Sequence, residues 1–383
     1  RGHVKQTVER YCSFANIRPE SLKAVATPNL DDNAFSESDF TEKGVLSAEC
    51  AKIVLQALWP ARIARPEILW TVNTLAREVT KWTKACDKRL ERLISYMWHS
   101  TDHVQVSFVG DPPEKCGLFL FVDASFAADA PHSKSTSGSF LALVGPSTFC
   151  PLSWMVKRQG AVTHSSSEAE IVSMDAALRM QGIPVLIFWD CIVGMFANSG
   201  GDISLHKNHG KNKNAYAFAQ GSKPMKNSKS NYGTRDEKTD APASGNHLVK
   251  DFNINDYIPM NCSSWDKLGL FRFSDTVADI IDYVPPSLPP LQARTFLKVL
   301  EDNDAVIHMC VKARAPKLRH LARTIRIDLD WLFERFYHDP SISLTYVNTK
   351  EQAADIFTTA NFTAAQWQTL LDLIQTQKST VPE

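Results

Sequence analysis

At 383 residues the chain is longer than one hydrophobic core usually supports, so two or three domains are expected. Its 44% hydrophobic content is ordinary for a globular protein, and its 42 basic and 42 acidic residues cancel. That balance excludes a strong global field as the basis of nucleic-acid binding. The eight cysteines include no C-x2-C pair, which predicts buried thiols of an intracellular protein rather than a zinc site or disulfide framework. Neither a signal peptide nor an apolar run of membrane-spanning length is recognisable, so no membrane partner is expected.

The first section, residues 1–109, is expected to be mainly helical. Apolar residues at helical spacing predict a helix that is capped by Ser47 and interrupted by Pro60, and another that begins after Pro66. A third predicted helix spans about 86–98. Its polar face carries Lys88, Arg89 and Arg92. Such a face either contacts a nucleic-acid backbone or is simply solvated, and solvation is the commoner case.

The second section contains three strand-like runs followed by a helical pattern. The unbroken apolar run 118–122 predicts a central strand covered on both faces. The runs 138–144 and 151–156 predict two further strands. A sheet with one central strand is therefore expected here.

The helix that follows is expected to begin at Ser166 or Ser167, both good N-cap residues. It carries Glu168 and Glu170, which are two residues apart and so about 200° apart around a helix. Only one of them can therefore point into a shared site. Spacing alone does not decide which of the two it is.

Residues 196–294 differ in composition from the rest of the chain. The stretch 205–235 has seven Lys and Arg residues, no acidic residue, and many Asn, Ser and Gly residues. This composition cannot bury a core and predicts disorder. The stretch is either a flexible basic arm that binds phosphates or an insertion without a function of its own.

Residues 295–383 return to alternating strand and helix patterns. A strand is predicted at 295–300 and the last strand at 343–347. Helices are predicted at about 320–337, from about Glu351, and at 362–376.

Four acidic residues stand at predicted strand ends or helix starts: Asp123, Glu170, Asp302 and Asp355. Carboxylates gathered in one place raise each other's pKa unless a cation neutralises them. Hard oxygen ligands of this kind suit Mg²⁺. Two such ions, roughly 4 Å apart, activate water and stabilise the leaving oxygen of a phosphodiester. The alternative is four unrelated solvated or capping residues.

Short motifs surround these four positions. They are VDASFA at 122–127, SKSTSG at 133–138, LSW at 152–154, KRQ at 157–159, SSSEAE at 165–170, HLART at 320–324 and YVNTKEQAADIFT at 346–358. In this order and spacing they resemble the ribonuclease H domain of copia-type retrotransposon Pol polyproteins. Upstream, ATP at 26–28 and ARPEI at 64–68 resemble the end of the family's reverse-transcriptase thumb and connection.

The chain also departs from that family. No Tyr-x-Asp-Asp turn occurs, so no DNA synthesis is expected from this chain alone. Glu301 stands where the family has Cys before its Asp-Asn pair, and residues 196–294 take the place of a short loop.

The resemblance implies an α/β fold with a ribonuclease H-like mixed five-stranded sheet flanked by helices. It assigns 1–109 to a helical thumb or connection-like region, 115–195 and 295–383 to the two parts of the ribonuclease H domain, and 196–294 to a largely disordered insertion. Two Mg²⁺ ions, or Mn²⁺ in their place, would bind Asp123, Glu170, Asp302 and Asp355. In that family-based assignment Asp123 bridges both ions, Glu170 and Asp302 hold the ion near the leaving 3′ oxygen, and Asp355 holds the ion that activates water.

The implied activity is endonucleolytic cleavage of the RNA strand of an RNA–DNA hybrid during reverse transcription. The implied partners are that hybrid and an upstream polymerase region, in a cytoplasmic virus-like particle or the nucleus. Expected nucleic-acid contacts are Ser125, Lys134, Ser135, Thr136, Ser137, Lys157, Arg158 and Asn303. His164 and His320 either assist product departure or are structural. The alternatives are an inactive remnant that binds nucleic acid, or a portion active only with the missing polymerase.

Overall fold

The computed structural model describes residues 1–30, 34–129, 133–199, 295–313, 315–325 and 327–379. Its helices are α1 (Gly2–Ala15), α2 (Glu37–Thr41), α3 (Cys50–Ile63), α4 (Leu69–Arg77), α5 (Lys84–His99), α6 (Ser166–Ala177), α7 (Ile183–Ser199), α8 (Asp304–Val311), α9 (Leu321–Thr324), α10 (Leu329–His338) and α11 (Ala364–Leu373). Its strands are β1 (His103–Gln105), β2 (Gly117–Asp129), β3 (Lys134–Gly145), β4 (Thr148–Arg158), β5 (Leu297–Glu301), β6 (Ile342–Tyr346) and β7 (Thr376–Lys378).

The strands form a mixed five-stranded sheet of order β4-β3-β2-β5-β6. β2, β3 and β4 are antiparallel neighbours, whereas β5 and β6 join parallel to β2. β1 and β7 form a separate antiparallel pair. The expected α/β class with a mixed five-stranded sheet is therefore confirmed. The prediction of disorder falls mainly on residues 200–294, which lie outside the described residues, while 196–199 still belong to α7.

β2 is the central strand that its apolar run predicts. Leu118 and Leu120 point to one face of the sheet and Phe119 and Phe121 to the other, because side chains alternate along a strand. All four are at most 1% exposed. Both faces of the sheet are therefore covered, and no face of β2 meets solvent over this run.

The Leu118 face packs against helices from both halves of the chain. Ile171 and Met174 of α6 join Val306 of α8 and Leu332 of α10 in one apolar cluster. A π-helical turn, Leu178–Gly182, connects α6 to α7. A Cβ at Gly182 would come within 2.9 Å of Leu297 Cδ2, so the small residue lets the helix lie close to the sheet.

The Phe119 face packs against the N-terminal helices and α11, so residues 1–109 share one core with the sheet. Phe140 stacks on Phe357 at a ring-centroid distance of 6.2 Å. Helices also cover the edge strand β4, since Trp154 Nε1 donates to the Ala61 carbonyl at 2.9 Å and Asn73 Nδ2 donates to the Val156 carbonyl at 2.9 Å. An edge covered in this way is protected from pairing with other chains.

Pro60 does not interrupt its helix as predicted, because α3 continues through it to Ile63. Proline has no N–H, which leaves the carbonyl four residues earlier, that of Gln56, without its helical partner. His3 Nε2 of α1 lies 3.0 Å from that carbonyl oxygen and fills its place. A tertiary contact thus offsets a local helix breaker.

Two other helix predictions were wrong. The predicted helix at 320–337 is two helices, α9 and α10, and Asp328 caps the second by accepting from the N–H groups of Asp330 and Trp331. Asp355 lies in a single 3-10 turn, Asp355–Phe357, rather than in a helix from Glu351.

Ser166–Phe196, which joins α6, the π turn and α7, is long and apolar enough by length and composition to cross a membrane. Our expectation that no run of this length occurs is therefore wrong for this segment. One such helix is weak evidence, because the core helix of a soluble protein passes the same test. Its first half packs on the sheet. The absence of a membrane partner stays a prediction.

A buried ion pair lies inside the helical region. Arg65 and Glu67 are 3% and 1% exposed, and Arg65 Nε donates to Glu67 Oε1 at 2.5 Å. Arg65 Nη2 also donates to Ser100 Oγ at 2.7 Å. Arg65 Nη1 and Glu67 Oε2 have no partner. The pair is therefore incompletely compensated, and each member depends on the other.

Arg65→Met should destabilise the protein by about 3–5 kcal/mol, because it leaves the Glu67 charge buried and unpaired. Arg65→Met/Glu67→Met should recover most of that loss, since removing both partners leaves no buried charge. Urea unfolding followed by circular dichroism measures both values. A double variant as unstable as the single one would contradict this account.

Candidate functional site

Two predicted site residues come together through the register of neighbouring parallel strands. Phe121 of β2 lies opposite Leu300 of β5. Asp123 lies two residues beyond Phe121, and Asp302 lies two residues beyond Leu300. The two aspartates therefore reach the same level and the same face of the sheet. Burial raises the pKa of Asp123, and the nearby charge of Asp302 adds to the rise.

Glu170 reaches this end of the sheet from the first turns of α6. Ser165 caps the helix by accepting from the Glu168 N–H at 3.2 Å. The Ser173 hydroxyl, three residues beyond Glu170, donates to the Asp123 carbonyl at 2.7 Å and fixes the helix on β2. Glu170 is 5% exposed.

Glu168 points elsewhere. Its Oε2 accepts from the His164 N–H at 3.0 Å, and its Oε1 lies 3.4 Å from His320 Nε2. The rings of His164 and His320 are 5.7 Å apart. Of the two glutamates on α6, the structure thus places Glu170 with the other carboxyl groups, and Glu168 with the two histidines beside the helix start.

Asp355 and Thr358 reach Asp123 by a close approach of their turn to β3. Thr358 Oγ1 donates a short hydrogen bond to Asp123 Oδ2. Gly138, which is paired with Asp123 across the sheet, makes the approach possible. A Cβ at Gly138 would come 3.0 Å from Phe357 Cβ and closer still to the Thr358 methyl. Gln352 ties the same segment to β2, donating to the Val122 carbonyl at 2.9 Å.

These carboxyl groups titrate abnormally because they are buried together. Burial raises the pKa of Asp123 to about 6, and the hydrogen bond from Thr358 opposes that rise. Burial also raises the pKa of Asp355, with Asp123 and Asp302 adding to the effect. The pKa of Glu170 is raised by burial and then by four carboxyl neighbours. They are Glu301, Asp123, Asp302 and Asp355.

Glu301 is the site residue that sequence reasoning missed. It ends β5, is fully buried, and its Oε2 has no hydrogen-bond partner. Burial and the charge of Asp302 raise its pKa well above the usual value. Strand alternation contained the signal, because Leu297 and Val299 face α6, and Glu301 must therefore face α6 and Glu170.

The donor chemistry of this cluster fits a hard divalent cation. Glu170 Oε2 and Glu301 Oε2 are buried without partners, and an oxygen-binding ion would satisfy them. However, among the described residues no three His, Cys, Asp or Glu side chains are already arranged around one ion position. The carboxyl groups are close enough to raise each other's pKa, but they would have to converge further to bind an ion.

The residues predicted to contact nucleic acid fall into a buried group and a more exposed group. Ser135, Thr136 and Ser137 are at most 3% exposed. The Ser135 hydroxyl lies 2.7 Å from Thr163 Oγ1, and Ser137 Oγ accepts from Gln159 Nε2 at 3.0 Å. These three side chains are committed to internal packing, so we correct their expected role to a structural one.

The remaining predicted contacts are more accessible. Ser125, Lys134, Arg158 and Asn303 are partly exposed, and Lys157 is exposed. Lys134 Nζ donates to the Gly160 carbonyl at 2.8 Å, and Asn303 caps α8 by accepting from the Ala305 N–H. By contrast, two of the α5 bases are engaged locally, since Lys88 pairs with Asp39 and Arg92 donates to the Thr27 carbonyl.

No protein-family model matches the chain, and no solved structure matches it. A function for this protein therefore has to be argued from the chemistry of its own site.

Gly138→Ala should destabilise the protein by about 1–3 kcal/mol, because the added methyl group overpacks the contact with the 354–358 segment. Gly160→Ala is the matched control, since nothing lies within 4 Å of a Cβ there. Urea unfolding of both variants tests the close approach. Equal stabilities would show that the segment does not lie against β3.

Glu301→Gln should stabilise the protein increasingly as pH rises. A carboxyl whose pKa is raised on folding favours the folded state below its unfolded pKa, and this contribution is lost as pH rises toward the folded pKa. The variant does not titrate, so its advantage should grow between pH 5 and pH 7, by at most about 1.4 kcal/mol per pH unit for one titrating group. Thermal and urea unfolding at both pH values measures it, with exposed Glu91→Gln as control. A pH-independent difference would rule the explanation out.

Proposed function

We propose that the chain is a metal-dependent ribonuclease H that cleaves the RNA strand of RNA–DNA hybrids. The observation that carries the proposal is that Asp123, Glu170, Asp302 and Asp355, four residues from distant parts of the sequence, lie close enough for their charges to interact. A fold gains no stability by burying like charges. Binding a cation for phosphodiester chemistry is the functional reason to do so.

The arrangement of the sheet supports the same proposal. A mixed five-stranded sheet with carboxyl groups at the ends of its central parallel strands is what the motif resemblance implies for a ribonuclease H-like fold. The motifs contribute residues to the proposed site. SKSTSG contains Gly138, SSSEAE contains Glu170, and the closing motif contains Asp355 and Thr358. We accordingly propose a place for this chain in a copia-type Pol polyprotein, with an upstream polymerase region and an RNA–DNA hybrid as partners.

Asp123, Glu170, Asp302 and Asp355 would hold two Mg²⁺ ions, with Mn²⁺ as the alternative. When bound, these ions supply a more acidic water and neutralise charge on the phosphodiester. The chain's own residues position the ligands. Thr358 orients Asp123 by a hydrogen bond to Oδ2, and Ser173 holds α6 against the same strand. Burial raises the pKa of Asp302, and a hydrogen bond from Thr349 opposes that rise.

Protons and cations compete for this cluster, because burial raises the pKa of its carboxyl groups. Divalent-ion affinity should therefore increase as pH rises from about 5 to about 8, as protons leave the ligands. Titration calorimetry with Mg²⁺ and with Mn²⁺ measures this directly, without any nuclease assay.

The second candidate is an inactive remnant that still binds nucleic acid. The observation in its favour is Glu301, a buried acid that adds further repulsion beside Asp302 and Glu170. If protons rather than a cation neutralise the cluster, hybrid binding survives and cleavage does not. A portion that is active only with its polymerase would also bind the hybrid without cleaving it until the upstream region is supplied.

The deciding experiment is cleavage of a labelled RNA–DNA hybrid with Mg²⁺. Asp302→Asn and Glu170→Gln should each lower the cleavage rate about 100-fold or more, since several kcal/mol of charge stabilisation are lost. Asp304→Asn and Glu168→Gln are matched controls and should retain cleavage. Asp304 lies two residues beyond Asp302, and Glu168 lies two residues before Glu170, about 200° around the helix.

Loss of cleavage in Glu168→Gln but not in Glu170→Gln would reverse the assignment of the two glutamates. Hybrid binding without cleavage by the unaltered chain would favour the second candidate. Restoration of cleavage on adding an upstream polymerase region would then identify the chain as a dependent portion of a larger enzyme.

A further inference from the structure

The outer side of α7 exposes large apolar side chains. Ile187 and Phe188 are 60% and 64% exposed, and Met195 and Phe196, about two turns further on, are 67% and 59% exposed. At 100° per residue these four side chains fall within about half of the helix circumference. We call these four residues the α7 apolar face. A contiguous exposed apolar patch of this kind commonly marks an interaction surface.

The opposite side of α7 packs on the sheet. Leu186 and Val193 are 5% and 6% exposed, and Leu186 belongs to the apolar cluster on the Leu118 face. Trp189 Nε1 donates to the Cys116 carbonyl at 3.3 Å. These contacts turn the α7 apolar face away from the sheet. Met195 and Phe196 have contacts of their own, but more than half of each residue is still exposed.

Both ends of the segment 200–294 are attached at this helix. The segment follows Ser199, the last residue of α7, and rejoins the described chain at Thr295. The Thr295 hydroxyl donates to Asp190 Oδ1 of α7 at 2.6 Å. Asp190 lies between Phe188 and Met195 in the sequence, and the distance from Asp190 to Ser199 along a helix is roughly 14 Å. The segment therefore starts and ends close to the α7 apolar face.

One part of this segment has the sequence of an amphipathic helix. Its apolar residues recur at helical spacing and fall within about 100° of one another around a helix. They are Leu270, Phe273, Val277, Ile280, Ile281 and Val284. Pro285, which cannot continue a helix, follows directly. The pattern over 270–284 predicts a helix with one apolar stripe, and an isolated helix of about 15 residues is marginal in water without a partner surface.

We propose that residues 270–284 of the same chain dock as a helix on the α7 apolar face, with the apolar stripe against that face. Thr295 is eleven residues after Val284, a distance of at most about 40 Å for an extended chain. Such a tether gives an effective concentration on the order of millimolar. A second copy of the chain lacks this advantage at micromolar concentrations. The docking does not depend on the proposed nuclease activity.

The acidic residues of the segment select one orientation. Asp275, Asp279 and Asp282 fall on the side of the predicted helix opposite its apolar stripe. With the stripe on α7 they face water and keep their hydration, whereas the reverse orientation would bury three carboxylates on an apolar surface at a high cost. Docking in the favoured orientation therefore replaces an exposed apolar face with a charged one.

Hydrogen exchange of the full chain, measured by mass spectrometry on peptides within 270–284, tests this docking. Amides of a helix that is packed on a surface exchange slowly, so these peptides should be protected in the unaltered chain. Ile187→Ser/Phe188→Ser should raise their exchange rate about tenfold or more, because the apolar contact is lost. Leu55→Ser/Ile63→Ser is the matched control, since it removes two similarly exposed apolar side chains of α3 and should change nothing.

Substitutions in the segment form the second arm. Val277→Ser/Ile281→Ser removes part of the stripe and should deprotect the same peptides. Asp275→Ser/Asp282→Ser changes the opposite side of the predicted helix and should leave them protected. Sedimentation velocity at two protein concentrations should show a monomer at both, with the same protection, because the contact is within one chain.

Protection that the α7 variant and the stripe variant both remove, in a monomer, supports the proposal. Protection that appears only in a dimer identifies a second copy as the occupant and overturns it. Binding to phosphatidylcholine vesicles that requires Ile187 and Phe188 also overturns it, because a covered face is not available to lipid. Unprotected peptides, or protection that the α7 variant leaves unchanged, do so as well. If the α7 variant unfolds, the stripe variant and its control still decide.

Discussion

Five carboxyl groups share one end of the sheet, and contacts between segments that are distant in sequence hold them there. Asp123 and Asp302 arrive on parallel strands, Glu170 on a helix that Ser173 fastens to β2, and Asp355 on a turn that Gly138 admits. Glu301, the last residue of β5, is the fifth carboxyl group. Each of these contacts brings like charges closer, so the arrangement costs stability unless protons or cations neutralise it.

The two apolar layers on either side of the sheet provide the stability that offsets this repulsion. One layer joins α6 to α8 and α10, and therefore unites segments before and after residues 200–294. The other joins the N-terminal helices to α11, where Trp367 Nε1 donates to the Tyr96 hydroxyl at 3.3 Å. The helical region is thus part of the sheet's support, not a separate attachment. A change in α3 or α5 can consequently alter the position of the carboxyl-bearing strands.

Sequence reasoning succeeded where local pattern and tertiary role coincide. The run from Leu118 to Val122 predicts a strand covered on both faces, and the apolar spacing of α5 predicts a helix with one buried side, as the structure has them. It failed where a distant partner decides the outcome. Pro60 stays helical because His3, remote in sequence, takes the Gln56 carbonyl. Ser135 and Ser137 were expected to contact nucleic acid. In the structure they are buried, and they form hydrogen bonds with Thr163 and Gln159.

Glu301 shows why the site could be predicted only in part. Four carboxylates stood out because each lies in a motif, whereas Glu301 replaces a residue that the motif expects to be neutral. Its importance follows from strand alternation and from α6 lying on that face, and the second of these is a property of the fold. A buried acid that meets Glu170 shifts the balance between protons and cations at the cluster. Glu301 therefore adds to burial in raising the pKa of Glu170, and protons held on the carboxyl groups compete with any cation that these groups bind.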